Sequence, residues 1–212
     1  MTAPLTVLTE EESMFREAVA GFAEEEVRPR VMDMERAGKI DSSLLPKYFE
    51  MGLMGIEVPE EFGGSGGSLF MVTLAVEEIS KIDAAAAIVC DVQNTLVNYP
   101  INRYGNQAQK EKYLPQLTGE KVGAYALSES GSGSDAFGLA ARAEKKGDRW
   151  ILNGQKLWIT NGAEADVFVV FANMNPGAGY KGITAFIVER GFKGFSVGKK
   201  EDKLGIRASS TV

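Results

Sequence analysis

The sequence predicts an α+β multidomain chain: an all-α helical N-terminal domain over residues 1–120, then an antiparallel, β-barrel-like domain over residues 121–212. Three observations carry this reading. Apolar residues recur at helical intervals through the first half. Near Lys121 the helical period gives way to alternation, and Val, Ile, Phe, Trp and Thr become common. The final residues, GIRASSTV, bring no closing element, so the β domain is expected to lack its last strands.

In chain order, Thr9 and Glu12 have capping-box spacing, and Phe15, Val19 and Phe22 follow at helical intervals until Pro29 stops the pattern. Ser42 is placed to cap a short helix through Glu50 that ends at the glycines around Gly52 and Gly55. EVPEEFGGSGGS (Glu57 to Ser68) is a loop by its proline, glycines and serines. Ser68 caps a helix carrying Val72, Ala75, Val76, Ile79 and Ile82 on one stripe, and Asp83 caps an alanine-rich helix that runs through Cys90 towards Pro100. A last helix, about Gln107 to Leu114, ends near Pro115. Beyond Lys121, LAARAEK and RWILNGQKLWIT are two strands joined by a turn at Lys146 to Asp148. DVFVVFAN (Asp166 to Asn173), GITAFIVER (Gly182 to Arg190) and GFSVGKK (Gly194 to Lys200) are three more strand candidates.

Composition removes several function classes. The net charge of −6 argues against nucleic acid or an anionic membrane surface as the main partner. Histidine is absent and Cys90 is the single cysteine, which excludes an intrachain disulfide, a Ser-His-Asp triad and a thiol–imidazole pair. Cys90 lies in AAAAIVCDV and is expected to pack as a small hydrophobe. No apolar run approaches the roughly 20 residues that span a bilayer. The N-terminal MTAPLTVLTEEES has neither signal-peptide nor transit-peptide character, so the expected location is the cytoplasm, or the mitochondrial matrix if a transit peptide has been removed.

Two motifs carry the chemistry. YALSESGSGSD, Tyr125 to Asp135, bunches backbone N–H groups and the hydroxyls of Ser130, Ser132 and Ser134, a polar set able to close around phosphate or flavin oxygens. LWIT, Leu157 to Thr160, offers a flat aromatic and a hydroxyl two positions apart, on one face if the segment is a strand. Gly131, Gly133 and Ala136 also match G-x-G-x-x-A, with Asp148 downstream. That dinucleotide pattern requires a helix opening at the glycines, whereas a strand–turn–strand pattern follows. Taken alone, a glycine–serine run is more often a surface turn, and a tryptophan on a strand more often fills a core.

YALSESGSGSD resembles the flavin-binding signature of acyl-CoA dehydrogenases, Tyr-x-x-Thr/Ser-Glu-x-Gly-x-Gly-Ser-Asp, and LNGQKLWITNG resembles their second signature. VPEEFGG, EKYLPQLTGEKVGAYALSE, GYKGITAFIVE and KLGIRASST resemble the family in the right order, from about residue 8 to the end. CDVQNTL, YKGIT and GIRASST are most similar to the short/branched-chain members. The resemblance implies FAD as cofactor, α,β-dehydrogenation of an acyl-CoA with hydride transfer to flavin N5, and electron-transferring flavoprotein as acceptor. It also implies a homotetramer and a C-terminal four-helix bundle absent from these 212 residues.

By position, the resemblance implies cofactor contacts from Tyr125, Ala126, Leu127, Ser128, Glu129, Ser130, Gly131, Ser132, Gly133 and Ser134, and from Trp158, Ile159 and Thr160. Trp158 would lie against the isoalloxazine and Thr160 would donate to N5. Ser134 and Tyr180 match positions that touch acyl-CoA, and the helix carrying Gln93 to Leu96 would flank the acyl pocket. Ser130 replaces a proline frequent in the family. No residue here matches the catalytic glutamate, which the family carries in its C-terminal domain, so these residues alone are expected to be inactive. A truncated, non-catalytic paralogue or scaffold retaining only a ligand-binding surface stays open as the alternative, and an acyl-CoA oxidase ranks below both.

Overall fold

The computed structural model describes Pro4 and residues 7–212. Residues 1–3, 5 and 6 of the N-terminal stretch read above for signal-peptide or transit-peptide character lie outside the described residues. Two compact units divide the chain: Met1–Glu120 with Lys203–Ser209, and Lys121–Asp202 with Ser210–Val212.

In the first unit, α1 (Glu10–Phe22) opens on the expected capping box. Thr9 Oγ1 accepts from the Glu12 N–H at 3.2 Å, and the Glu12 carboxylate accepts from the Thr9 N–H at 2.8 Å. Pro29 does not stop the helical path. A π turn (Ala23–Val27) and a 3₁₀ turn (Arg28–Arg30) lead into α2 (Val31–Ala37). Pro29 occupies the opening turn of the 3₁₀ segment, where a missing N–H removes no ladder bond. Ser42 is not a cap either: α3 (Leu44–Glu50) starts from Ser43, whose N–H donates to the Asp41 carboxylate at 2.9 Å. Ser68 and Asp83 do cap α4 (Leu69–Ser80) and α5 (Ala84–Asp91). A π turn (Val92–Asn98) joins α5 to α6 (Tyr99–Tyr104).

The last helix, α7 (Gln107–Gly119), continues through Pro115, where it was expected to end. Burial outweighs the lost backbone bond, because Leu114 and Leu117 are fully buried and Thr118 Oγ1 donates to the Phe62 carbonyl at 3.1 Å.

The π turn sets two asparagines into the core. Asn94 Nδ2 donates to the Leu53 and Cys90 carbonyls at 2.8 and 2.9 Å, and its Oδ1 accepts from the Ile56 N–H at 2.9 Å. Asn98 Nδ2 donates to the Met54 carbonyl at 2.7 Å. These amides serve the 53–56 turn, whose buried backbone has no helix or sheet to satisfy it. Asn94→Leu is therefore expected to destabilise the intact protein by about 3 kcal/mol, read as a lower urea midpoint at unchanged m. A shift below about 0.5 kcal/mol would contradict this role. Cys90 packs as expected: burial pushes its thiol up to about 12, and Sγ lies 3.1 Å from the Leu53 carbonyl oxygen.

The second unit is a five-stranded sheet. Its strands are β1 (Gly123–Ala126), β2 (Arg142–Lys146), β3 (Arg149–Asn153), β4 (Val167–Asn173) and β5 (Ile183–Glu189). The β2–β3 and β4–β5 pairs are antiparallel, but β1 pairs β4 in parallel from Gly123↔Val167 to Ala126↔Val170. β2 meets β4, also in parallel, at Arg142↔Asn173. The sheet is thus mixed where a purely antiparallel one was expected. A long crossover separates β1 from β4, and such a connection permits parallel pairing. GFSVGKK forms no strand; Phe195 instead sets its ring 4.7 Å from that of Phe168. Leu139, Ala141, Ala143 and Ala172 form a buried cluster under Leu127, Leu152 and Phe186.

Candidate functional site

β1 delivers the first motif. Tyr125 sits on the strand with its ring 5.0 Å from Phe171, and partial burial raises its phenol pKa. Ala126 is buried, and Leu127 packs over the sheet cluster. The chain then folds back tightly: the Glu129 N–H donates to the Ser132 carbonyl at 2.9 Å, and the Ser132 N–H to the Glu129 carbonyl at 3.1 Å. Ser130 and Gly131 form the tip of this bend. Ser132 is buried and donates its hydroxyl to the Asp135 carbonyl at 2.7 Å, so that hydroxyl holds the turn.

Gly131 and Gly133 answer no need of the local fold. Neither has a positive φ, and a Cβ at either position would meet nothing within 4 Å. Glycine there leaves exposed, unshielded N–H groups. Among the described residues, the N–H groups of Gly131, Gly133 and Ser134 meet no acceptor, and the hydroxyls of Ser128, Ser130 and Ser134 have no partner. The bend is a concentration of open donors on a backbone fixed from below.

That fixing comes from a lysine absent from the residues nominated above. Lys156 Nζ donates to the Glu129 carboxylate at 2.7 Å and to the Leu127 carbonyl at 2.9 Å, in a pair whose side chains are only 9% and 7% exposed. The Ala140 and Ala141 N–H groups donate to the same carboxylate at 2.6 and 3.0 Å. Burial alone would raise the Glu129 pKa; Lys156 and the two N–H groups outweigh it and hold the carboxyl below its ordinary value. The Glu129 side chain is thus fully occupied inside the protein. The two residues lie 27 positions apart, and no local spacing links them. Only the second signature marks the lysine's place.

The second motif is not on a strand. β3 ends at Asn153, because Gly154 crosses so close to Ala141 that a Cβ would come within 2.6 Å of the alanine methyl. The shared-face argument for Trp158 and Thr160 therefore fails, and loop bonds position them instead. The Leu157 N–H donates to the Ser128 carbonyl at 2.9 Å, while Ile159 and Val212 exchange bonds at 2.8 and 3.1 Å. Ile159 is buried as the anchor. Between these pinned flanks, Trp158 takes φ 62° and is 60% exposed. A bulky non-glycine residue in the left-handed region costs about 1–2 kcal/mol, and an indole held in solvent recovers little of it by burial. The core-tryptophan reading is excluded by that exposure. Thr160 is half-buried, and its hydroxyl has no partner among the described residues.

Loop and bend are therefore adjacent: Leu157 is bonded to Ser128, and Lys156 to Glu129 and Leu127. Ser134 and Tyr180 are both exposed, the latter in the 3₁₀ segment Pro176–Gly182 between β4 and β5. Gln93 donates its amide to the Leu117 carbonyl at 2.7 Å and is fully buried, so it supports the helical core; Leu96, on the same turn, is exposed. Among the described residues there is no cluster able to hold a metal ion, and no helix is long and apolar enough to cross a membrane.

The acyl-CoA dehydrogenase N-terminal domain family matches residues 9–121, and the acyl-CoA dehydrogenase middle domain family matches residues 124–212. The chain is 54% identical over 209 residues to a probable short/branched chain specific acyl-CoA dehydrogenase of Dictyostelium discoideum, covering 98% of this chain and 51% of that protein. Butyryl-CoA dehydrogenase from Megasphaera elsdenii superposes with a TM-score of 0.93 at 40% identity, over 100% of this chain and 56% of that one. A glutaryl-CoA dehydrogenase from Mycobacterium smegmatis, solved in complex with FADH2, gives 0.89 at 32% identity over 96% and 52%. The chain spans about half the length of the curated relatives it matches. Its two domain matches, its identity to these relatives and its fold together make this chain a member of the acyl-CoA dehydrogenase family.

Proposed function

We propose that this chain, divided near residue 120, provides the helical and sheet domains of an FAD-dependent acyl-CoA dehydrogenase acting on a short or branched acyl-CoA. The carrying observation is Trp158, held exposed in a left-handed conformation beside the Ser128 segment. A strained, solvent-facing indole next to a bend of open donors fits a flat ring with a phosphorylated tail. In this reading bound FAD would supply the hydride acceptor for the α,β-dehydrogenation.

The chain's own residues bind and orient. The Gly131, Gly133 and Ser134 N–H groups would hold the diphosphate, with Ser128 adding a hydroxyl, while the Trp158 ring would cover the flavin and exclude water. The Thr160 hydroxyl donates towards N5. Tyr125, Ala126, Leu127 and Ile159 contribute through backbone and packing, and Glu129 and Ser132 brace the bend from within. Ser134 and Tyr180 contact the acyl-CoA. The base that removes the α-proton comes from outside these residues, and the family resemblance implies a homotetramer with electron-transferring flavoprotein as acceptor.

The test uses the intact polypeptide. Loaded with FAD, it is expected to be yellow and to bleach on anaerobic addition of 2-methylbutanoyl-CoA. A protein that stays colourless with excess FAD overturns the reading. One that binds FAD without bleaching supports the scaffold alternative.

A further inference from the structure

Tyr180 does not stand alone. Its ring lies 5.3 Å from that of Phe137 at an interplanar angle of 38°, and both side chains are exposed, Phe137 at 68% and Tyr180 at 58%. Phe137 lies on the 3₁₀ turn Ala136–Gly138, three residues beyond Ser134, and Tyr180 lies on the β4–β5 connection. The aromatic pair therefore joins the loop that continues the donor-rich bend to the loop carrying Tyr180. No sequence motif marked Phe137. Burial does not explain it, since an exposed phenylalanine gains little from the hydrophobic effect where it is.

We infer that Phe137 is a specificity-determining residue that, with Tyr180, stacks the adenine of the CoA thioester. This rests on the acyl-CoA reading of Ser134 and Tyr180 given above. Two exposed, tilted rings recognise a flat heteroaromatic face, and adenine is the only such group in an acyl-CoA. The neighbouring charge agrees, because Lys181 follows Tyr180 on the exposed loop and has no ion pair among the described residues. Asp135, the one acidic group on the Phe137 turn, sits back over Gly138, where its carboxylate oxygen would come within 2.9 Å of a Cβ.

The experiment compares two thioesters on the FAD-loaded intact enzyme: 2-methylbutanoyl-CoA, and 2-methylbutanoyl-pantetheine, which lacks the nucleotide. Phe137→Ala is expected to raise KM for the CoA thioester about tenfold with kcat within about twofold, and to leave KM for the pantetheine thioester unchanged. Phe137→Tyr is expected to restore the wild-type KM. Phe137→Leu keeps the apolar bulk without the flat face, so it gives the alanine result and covers the case in which Phe137→Ala does not fold. Equal KM shifts for both thioesters, or no shift for either, overturn the inference and leave the acyl-CoA reading standing. A wild-type enzyme that bleaches with neither thioester overturns both.

Discussion

Lys156→Met is expected to destabilise the intact protein by about 3–5 kcal/mol and to abolish flavin retention with it. The substitution leaves the Glu129 carboxylate buried with two backbone N–H partners and no countercharge. Both motifs lose their tie at once, since Lys156 also holds the Leu127 carbonyl. Glu129→Gln combined with Lys156→Met removes the orphaned charge while keeping an acceptor for one of the Ala140 and Ala141 N–H groups, and is expected to recover at least about half of the lost stability. Chemical denaturation of Lys156→Met, of Glu129→Gln alone and of the double variant measures this. Additive losses in the double variant would show that the pair is not coupled.

The same pair gives a pH dependence of defined sign. The Glu129 carboxyl is held below its ordinary value of 4.5 in the folded protein, so the unfolded chain takes up the proton first. The stabilisation is complete above about pH 4.5 and is lost as pH falls through the lower folded value. Lys156→Met is expected to flatten that acid limb of the stability curve.

Trp158→Gly separates function from folding. Glycine removes the left-handed cost of about 1–2 kcal/mol, offset in part by about 0.5–1 kcal/mol of added unfolded-state freedom. Because the indole is 60% exposed, stability is expected to stay within about 1 kcal/mol of wild type. FAD affinity is expected to fall at least about tenfold, with Trp158→Phe recovering part of it. A stability loss above about 3 kcal/mol would make Trp158 a core residue. Unchanged FAD affinity would remove it from the site.

The helical part and its caps at Thr9, Ser68 and Asp83 were legible because local spacing and side-chain chemistry decide them. Local propensity misleads at both prolines: Pro29 falls in the opening turn of a 3₁₀ segment, where it costs no ladder bond, and at Pro115 the burial of Leu114 and Leu117 carries the helix onward. Strand candidates on β4 and β5 were legible from their β-branched and aromatic residues. The parallel pairing of β1 with β4 was not, because pairing is a long-range property that period-2 patterning leaves open. At the site, the two motifs were visible as residue types, but their juxtaposition depends on Lys156, Glu129 and the Leu157–Ser128 bond. Trp158 and Thr160 were assigned a common face by strand geometry, and the loop after Gly154 places them by backbone bonds instead.

The central claim is that an isoalloxazine ring rests against the Trp158 indole, with its diphosphate along Gly131 to Ser134. A crystal structure of the intact polypeptide with FAD tests it most directly. The account predicts ring-to-indole contact and phosphate oxygens within hydrogen-bond distance of those N–H groups. A flavin seated elsewhere, or an indole packed into protein with no flavin against it, would contradict the account.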